Sequence, residues 1–272
     1  MKVIERMIGR CKMGLFQCNI YSEELDKNTA FYVSLPKPES EELQYDREKK
    51  YQVLYLLHGG GDDYTKWIRR VSIERMTRKY KIAVVAPDAS LSYYEDIDGV
   101  GNYCRYIGKE LPQIVQSYFQ ISEKREDHFI AGLSMGGFGA FKAALNYPEQ
   151  FCAAASFSGA MDIIQCSQQP DNNKEVMSYD LTKVKNSDSD LIYVIKNMIK
   201  TGTQIPALYQ SCGTEDSLHP MNEDFRKKIE TLPETLNYTY EEWEGVHDWD
   251  FWEESLRHSF DWFGFKKDYV RG

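Results

Sequence analysis

Ser134 is the residue whose type and setting point most directly to chemistry, because it lies between glycines in the segment 132–136, Gly-Leu-Ser-Met-Gly. The apolar run 128–133 before it predicts a buried strand, and the apolar spacing after it predicts a helix. A serine on a sharp turn between a strand and a helix can attack a carbonyl carbon. The turn is crowded, so glycines must flank the serine. The N–H of Met135, at the positive end of the helix, would face the developing oxyanion.

A carboxylate and a base follow the serine along the chain. Asp216 comes after the predicted strand 206–212, and His247 comes after the predicted strand 237–243. His247 Nε2 would accept the serine proton and return it to the leaving alcohol, while Asp216 would hold Nδ1–H and stabilise the imidazolium. The order serine, aspartate, histidine is that of the α/β hydrolases.

Both partners of the serine have alternatives. Glu215 is next to Asp216 in the sequence and competes for the same role, and His247 is alternatively an ordinary histidine of a surface loop. His219 is too close in sequence to Asp216 to be its obvious partner. Three histidines remain. His58 lies at the end of a predicted strand, His128 precedes the strand that leads to Ser134, and His258 lies within a helical pattern.

The glycine-rich segment 58–63, His-Gly-Gly-Gly-Asp-Asp, predicts the second oxyanion donor. It follows the apolar strand 51–57, and a strand followed by such a turn is where α/β hydrolases place their second N–H group. We assign this donor to Gly60, with Gly59 or Gly61 as alternatives. A phosphate-binding loop is the competing interpretation, but the Lys-Ser/Thr ending of a P-loop is missing.

Three aromatic residues close to these turns are expected to bind substrate: Trp67, Tyr93 and Tyr94. The two tyrosines lie in the loop 88–101, which is predicted to reach the same edge of the sheet as the serine turn. Packing of this loop without any ligand contact is the alternative. Trp67 belongs to a predicted helix, 64–80, and the spacing of its apolar residues also predicts that it faces the core.

Strands and helices alternate from residue 51 onward, which predicts an α/β fold with a mostly parallel sheet covered by helices on both faces. Because parallel strands end at one edge, the Gly60 turn, Ser134, Asp216 and His247 are predicted to meet there. The two opening strands are predicted to be antiparallel, and the last strand is predicted to lie at an edge. About eight strands are expected, at 14–21, 29–35, 51–57, 81–87, 128–133, 152–157, 206–212 and 237–243.

The length of 272 residues fits a single domain, 1–272, with an insertion. The polar segment 161–204 has weak periodicity and is predicted to form a cap over the site, because it is too long for a plain connection. The charged segment 36–50 is predicted to be a surface loop. Further helices are expected at 102–119, with a kink at Pro112, at 190–200, at 220–232 and at 249–263, and Asp63 suits the N-cap of the helix 64–80.

Composition excludes several classes of partner. The net charge of −9, with no basic stripe, argues against nucleic acid. No apolar run is long enough to span a membrane, and the first residues lack the apolar core of a secretion signal. The six cysteines lack metal-ligand spacing, and Asp62 with Asp63 forms only a weak metal pair, so no metal or cofactor is expected. The cysteines are expected to be reduced thiols in a cytoplasmic protein.

Four segments carry a resemblance to a known family: YLLHGGGDDYTKW, FIAGLSMGGFGAFKAALNYPEQF, CGTEDSL and GVHDWDFW. They resemble the esterase D/tributyrin esterase group of the α/β hydrolases, which is also similar to the feruloyl and acetyl esterases of carbohydrate esterase family one. The resemblance runs from about residue 14 to 262. It implies the α/β-hydrolase fold and a cofactor-free serine esterase for short acyl esters, with Ser134, Asp216 and His247 as the triad. It also implies that the N–H groups of Gly60 and Met135 form the oxyanion hole.

Two other functions remain open at this point. An S-formylglutathione hydrolase or an acyltransferase would carry the same serine turn, so the turn does not separate them from an ester hydrolase. A binding protein on a hydrolase fold would need a missing catalytic part, and none is missing from the sequence. The sequence does not determine the acyl length or the alcohol of the ester, for which a sugar is one option. It also leaves open whether the protein is a homo-oligomer.

Overall fold

The computed structural model describes residues 13–36, 50–167, 180–233 and 236–266. The strands in these ranges are β1 (Met13–Ser22), β2 (Lys27–Pro36), β3 (Val53–Leu57), β4 (Ala83–Pro87), β5 (Asp96–Ile97), β6 (Gly101–Asn102), β7 (His128–Leu133), β8 (Ala153–Phe157), β9 (Ala207–Gly213) and β10 (Tyr238–Trp243). One eight-stranded sheet has the order β1-β2-β4-β3-β7-β8-β9-β10, and β5 pairs with β6 in a separate ribbon. The predicted number of sheet strands is confirmed.

The sheet is mostly parallel. β1 pairs with β2, and β2 with β4, in the antiparallel direction, whereas the other neighbouring strands are parallel. The predicted antiparallel opening pair and the predicted edge position of β10 are therefore confirmed. Strands β3, β4, β7 and β8 are buried along their whole length, because helices cover both faces of the parallel part.

The α-helices of the described residues are α1 (Lys66–Arg70), α2 (Ile73–Tyr80), α3 (Tyr103–Arg105), α4 (Leu111–Tyr118), α5 (Met135–Asn146), α6 (Ile163–Ser167), α7 (Leu191–Thr201), α8 (His219–Glu230) and α9 (Trp249–Trp262). They pack on both faces of the sheet, as the alternation of side chains in β3 shows. Tyr55 and Leu57 join the core layer under α5, α7 and α8, while Leu54 and Leu56 join the layer under α1, α2 and α9.

The predicted helix 64–80 is wrong in one respect, because it is two helices, α1 and α2, separated at Val71. Val71 is extended, with φ −120° and ψ 144°, a conformation that β-branched side chains favour. The bend buries Val71 and Met76 in the same core layer. Asp63 is not the N-cap, since that position belongs to Thr65, and the Asp63 carboxylate instead accepts a hydrogen bond from the Thr65 amide, 2.9 Å.

Close to Pro112, where the sequence predicts a kink, the structure has a π-helical turn, Tyr106–Glu110, between α3 and α4. The Leu111 amide donates to the Tyr106 carbonyl, five residues back, instead of four. Proline has no amide hydrogen and its ring collides with the carbonyl four residues earlier, so the helix adjusts in the turn before it.

The segment 161–204 contains α6, a 3₁₀ turn at Leu181–Lys183 and α7. Residues 168–179 of the expected cap and residues 37–49 of the expected surface loop lie outside the described residues. Among the described residues, no helix combines the length and the apolar character that crossing a membrane requires. The cytoplasmic location, the absence of nucleic-acid partners and the homo-oligomeric state stay predictions.

Candidate active site

Ser134 occupies a strained turn between β7 and α5. Its backbone has φ 52° and ψ −120°, a combination that a residue with a side chain adopts only when its surroundings enforce it. The flanking glycines are necessary, because a Cβ on Gly132 would collide with the Gly136 carbonyl, and a Cβ on Gly136 would lie 2.5 Å from the Leu57 oxygen. The Ser134 carbonyl accepts the Ala160 amide, 3.0 Å, which ties the turn to the end of β8. The crowded turn expected from the sequence is confirmed.

The structure brings Ser134, His247 and Asp216 together. His247 Nε2 lies 2.9 Å from Ser134 Oγ, and His247 Nδ1 lies 2.9 and 3.0 Å from the two Asp216 carboxylate oxygens. A carboxylate only accepts hydrogen bonds, so Nδ1 carries a proton, and in the neutral ring Nε2 then carries a lone pair. The serine hydroxyl therefore donates to His247 Nε2, which is the geometry that proton removal needs.

Asp216, rather than Glu215, faces the imidazole. The Asp216 side chain is fully buried, while Glu215 is exposed. Burial opposes ionisation of Asp216, but the hydrogen bond and charge of His247 and the Leu218 amide, 2.7 Å away, outweigh it and keep the pKa of this carboxyl below its usual range. The inward-facing side of the turn thus carries Asp216, which favours it over Glu215 as the carboxylate of the predicted triad.

Two glycines bring the aspartate and the histidine to one place. A Cβ on Gly213, at the end of β9, would collide with the Gly245 backbone, so the loops after β9 and β10 are in direct backbone contact. The Glu215 amide donates to the Gly245 carbonyl at 3.0 Å. Glu215 is adjacent to Asp216, and Gly245 lies two residues before His247, so this bond joins the two loops close to both side chains. Trp252 also packs against the His247 ring and helps to hold it in place. The two ring centroids lie 4.9 Å apart in an edge-on arrangement.

The glycine turn after β3 lies beside the serine. A Cβ on Gly59 would be 3.5 Å from Ser134 Cβ, so this backbone passes directly against the nucleophile side chain. Gly60 follows and is exposed, and Gly61 has the positive φ of 69° that glycine accommodates. Met135 is the first residue of α5, where an α-helix leaves its amides without intrahelical partners.

The three aromatic residues expected to bind substrate are buried instead. Trp67 and Tyr94 are each 1% exposed, and Tyr93 is 6% exposed. Trp67 Nε1 donates to the Leu57 carbonyl at 3.0 Å, and the Tyr94 hydroxyl donates to the His58 carbonyl at 2.9 Å. Trp67 and Tyr94 therefore pack against the turn that carries Gly60, and substrate contact by Trp67, Tyr93 and Tyr94 stays a prediction.

The other histidines have structural partners. His58 and His128 are buried and hydrogen-bonded, and His258 pairs with Glu241. Within the described ranges, His219, Glu223 and Glu242 bring ligand atoms within 4.8 Å of one another. Two nitrogens of Arg226 already bind the Glu223 carboxylate, at 2.7 and 3.0 Å, so this carboxylate is neutralised without a metal. The five described cysteines are free.

A buried charge cluster was missed by the sequence reasoning. Lys142 is fully buried in α5 and pairs with the carboxylate of Glu95, which lies in the loop 88–101. Ser189, from the segment 161–204, accepts from Lys142 at 2.8 Å and donates to Glu95 at 2.7 Å. The signal was a lysine in the otherwise apolar stripe of α5, and the cluster fastens three parts of the chain to the helix that follows Ser134.

Comparison with known proteins gives consistent results. The family model Esterase, described as putative esterase, matches residues 22–263. An acetyl esterase of Caldicellulosiruptor saccharolyticus is 33% identical over 262 residues, which cover 92% of this chain and 98% of the relative.

Two solved structures from Staphylococcus aureus are similar over nearly the whole chain. One is the fluorophosphonate-binding serine hydrolase FphF with bound substrate, at 30% identity and a TM-score of 0.84. The other is the S-formylglutathione hydrolase FrmB without ligand, at 29% identity and a TM-score of 0.82. Each match covers 92% of this chain and 98% of the other chain. The predicted α/β-hydrolase fold is confirmed.

Proposed function

The chain belongs to the Esterase family and is a carboxylic ester hydrolase, and on that premise we propose that it cleaves short-chain acyl esters through an acyl-enzyme on Ser134. The observation that carries the assignment is the 2.9 Å contact between Ser134 Oγ and His247 Nε2, with Asp216 on the other ring nitrogen. The substrates are small-molecule esters.

Acylation begins with the serine hydroxyl. Ser134 Oγ attacks the carbonyl carbon of the ester while its proton passes to His247 Nε2, and the electron pair of the C=O bond moves to the oxygen. The N–H groups of Gly60 and Met135 hold that oxyanion, the second with help from the positive end of α5. The intermediate collapses, the C–O bond to the alcohol breaks, and the alcohol leaves with the proton from His247.

Deacylation repeats these steps with water. His247 removes a proton from a water molecule, whose oxygen attacks the acyl carbon, and then returns the proton to Ser134 Oγ as the carboxylic acid leaves. The ionised Asp216 stabilises the imidazolium that forms in both halves. The lowered pKa of Asp216 supports this role, because the aspartate keeps its negative charge when the ring next to it becomes positive.

We assign the acyl pocket to the described parts of the expected cap, residues 161–167 and 180–204. A cavity of about 360 Å³ lies between these parts and α8. One of its lining residues is Met161, which follows Ala160, whose amide binds the Ser134 carbonyl. A chamber of this size has room for a short acyl group, and the relative with 33% identity is an acetyl esterase. Its apolar lining includes Met161, Ile163, Val184, Leu191, Met221 and Phe225.

The pocket assignment has a direct test. Met221→Trp narrows the chamber and should lower the ratio of butyrate to acetate turnover on p-nitrophenyl esters by about tenfold or more, since one methylene in an apolar pocket is worth roughly 1–3 kcal/mol. Met221→Leu keeps the volume and is the matched control. An unchanged ratio in the tryptophan variant would place the acyl group elsewhere.

The nucleophile has its own test. Ser134→Ala should lower kcat on p-nitrophenyl acetate by several powers of ten, with an unchanged thermal unfolding curve. Ser117→Ala, an exposed serine in α4, is the control and should behave as the wild type. A fluorophosphonate probe should label the wild type and Ser117→Ala but not Ser134→Ala. Full activity in Ser134→Ala would refute the assignment, and an unlabelled wild type would favour a binding protein.

A thioester hydrolase is the second candidate function. It is favoured by the similarity to the S-formylglutathione hydrolase FrmB, at 29% identity over 92% of the chain. Both reactions use the same triad and differ in the leaving group, a thiol in place of an alcohol. Comparing kcat/KM for S-formylglutathione with that for p-nitrophenyl acetate decides between them, and we expect the oxygen ester to be the better substrate.

A further inference from the structure

The backbone before Gly60 is held in place by side chains rather than by the sheet alone. Three successive carbonyls each accept a hydrogen bond from a buried side chain, so the orientation of each peptide plane in this turn is fixed. The donors and acceptors are Trp67 Nε1–H to Leu57 at 3.0 Å, Tyr94 O–H to His58 at 2.9 Å, and His58 Nδ1–H to Gly59 at 2.8 Å.

The surroundings of His58 determine which ring nitrogen carries the proton. The Ala89 amide donates to His58 Nε2 at 2.9 Å, so Nε2 must hold a lone pair. The proton is therefore on Nδ1, and this N–H donates to the Gly59 carbonyl. Burial lowers the pKa of His58, in spite of the opposing charges of Asp88 and Asp62, which favours the neutral ring that this arrangement needs.

The bond from His58 controls the next amide through the geometry of the peptide unit. The Gly59 carbonyl and the Gly60 N–H belong to one planar trans peptide and point in opposite directions. The carbonyl points down to the buried imidazole, so the N–H points to the open side of the turn, where Gly60 is exposed and Gly59 passes Ser134. The Asp62 amide adds a longer bond to the same carbonyl, 3.3 Å.

We propose that His58 is a positioning residue that aims the Gly60 N–H at the substrate oxyanion, an inference that rests on the proposed ester hydrolysis at Ser134. Consecutive glycines have wide backbone freedom, so this peptide unit would rotate without an anchor. A donor that is already aligned costs no reorganisation when the oxyanion forms. The anchor therefore acts on the transition state and leaves binding of the neutral ester unchanged.

Two substitutions separate the two bonds of the ring. In His58→Asn the side-chain NH₂ occupies the place of Nδ1 and keeps a donor for the Gly59 carbonyl, but the acceptor for Ala89 is lost. In His58→Gln the side-chain oxygen occupies the place of Nε2 and keeps the acceptor for Ala89, but the donor for Gly59 is lost. Each variant loses one buried hydrogen bond, so we expect the two substitutions to lower the stability of the fold by similar amounts.

The expected result is a difference in kcat. Complete loss of one oxyanion donor costs about 10²–10³ in kcat, and we expect His58→Gln to lose about 10², with KM changed by less than about threefold. His58→Asn should stay within about tenfold of the wild type. Affinity for a trifluoromethyl ketone, which forms a tetrahedral oxyanion on the serine, should fall in His58→Gln by the same factor as kcat/KM.

Equal kcat values in the two variants, or a larger loss in His58→Asn, would overturn the proposal and leave His58 with a packing role only. If His58→Gln does not fold, His58→Asn decides alone: a kcat loss of more than about tenfold refutes the positioning role, and a smaller loss supports it. Ser134→Ala is measured in parallel. Its activity reports on the proposed function, so a failure there is distinguishable from a failure at His58.

Discussion

Replacing Asp216 by asparagine should place the imidazole proton on the wrong nitrogen. The Leu218 amide donates to Asp216 Oδ1 at 2.7 Å, so an asparagine would keep its carbonyl oxygen at that position. Its NH₂ group would then occupy the position of Oδ2, 2.9 Å from His247 Nδ1. An NH₂ group donates, so Nδ1 would have to accept, and the ring proton would move to Nε2. A protonated Nε2 faces Ser134 and cannot take the hydroxyl proton.

The size of the effect follows from this change of tautomer. Neutralising the aspartate of such a triad lowers kcat about 10⁴-fold. At 1.36 kcal/mol for each factor of ten, the loss in transition-state stabilisation is roughly 5 kcal/mol. KM should change by less than about threefold, because Asp216 is buried behind the histidine and does not touch the ester. Glu215→Gln removes the same charge one residue away, on an exposed side chain, and should remain within about twofold of the wild type.

The assay is steady-state hydrolysis of p-nitrophenyl acetate by the wild type, Asp216→Asn and Glu215→Gln at one pH above neutrality. Thermal unfolding of each protein shows that the comparison is between folded enzymes. A kcat for Asp216→Asn within tenfold of the wild type would refute the reasoning about the tautomer. A loss in Glu215→Gln that equals the loss in Asp216→Asn would show that the charge of the loop, and not its contact with the ring, matters.

Two further predictions concern stability. Lys142→Met leaves the Glu95 carboxylate buried without its cation and should lower the free energy of unfolding, measured in urea, by about 3–5 kcal/mol. Combining Lys142→Met with Glu95→Gln should recover most of this loss. Equal stability of the single and the double variant would contradict the prediction. Because the pKa of Asp216 is lowered, its ionisation stabilises the fold above about pH 4, and this contribution is lost as the pH falls through the folded-state pKa. The difference in Tm between the wild type and Asp216→Asn should therefore shrink on acidification, and a difference that grows would refute it.

The proposed catalytic residues were predictable because their types and positions are both constrained. Ser134 needs a turn between a strand and a helix, and Asp216 and His247 needed only to follow parallel strands, which end at the same edge of the sheet. The choice between Asp216 and Glu215 was not predictable in the same way. Two neighbouring residues in a turn point to opposite sides. Which of them faces His247 depends on the contact between Gly213 and Gly245, which are far apart in the sequence.

The aromatic residues show why pocket residues are harder to predict. A tryptophan in a helix stripe and a tyrosine in a loop have the same types whether they face a ligand or the protein interior. Trp67 and Tyr94 use their polar atoms to bind backbone carbonyls, so they are satisfied inside the core. Lys142 was missed for a related reason, because the pattern of α5 predicts burial of that position but gives no sign of its partner, 47 residues away in the loop.

The two proposed oxyanion donors are backbone N–H groups. Their orientation depends on neighbouring residues that do not themselves donate to the oxyanion. A backbone N–H has no side-chain type, so the sequence marks it only by the glycines that let the chain approach and by the groups that hold the neighbouring carbonyl. For Gly60 that group is His58, which binds the Gly59 carbonyl, while Tyr94 and Trp67 bind the two carbonyls before it. For Met135 the neighbouring carbonyl is that of Ser134, in the strained turn, and it is bound by the Ala160 amide. A substitution that keeps the triad but frees one of these carbonyls should therefore lower kcat while leaving the serine, histidine and aspartate in contact.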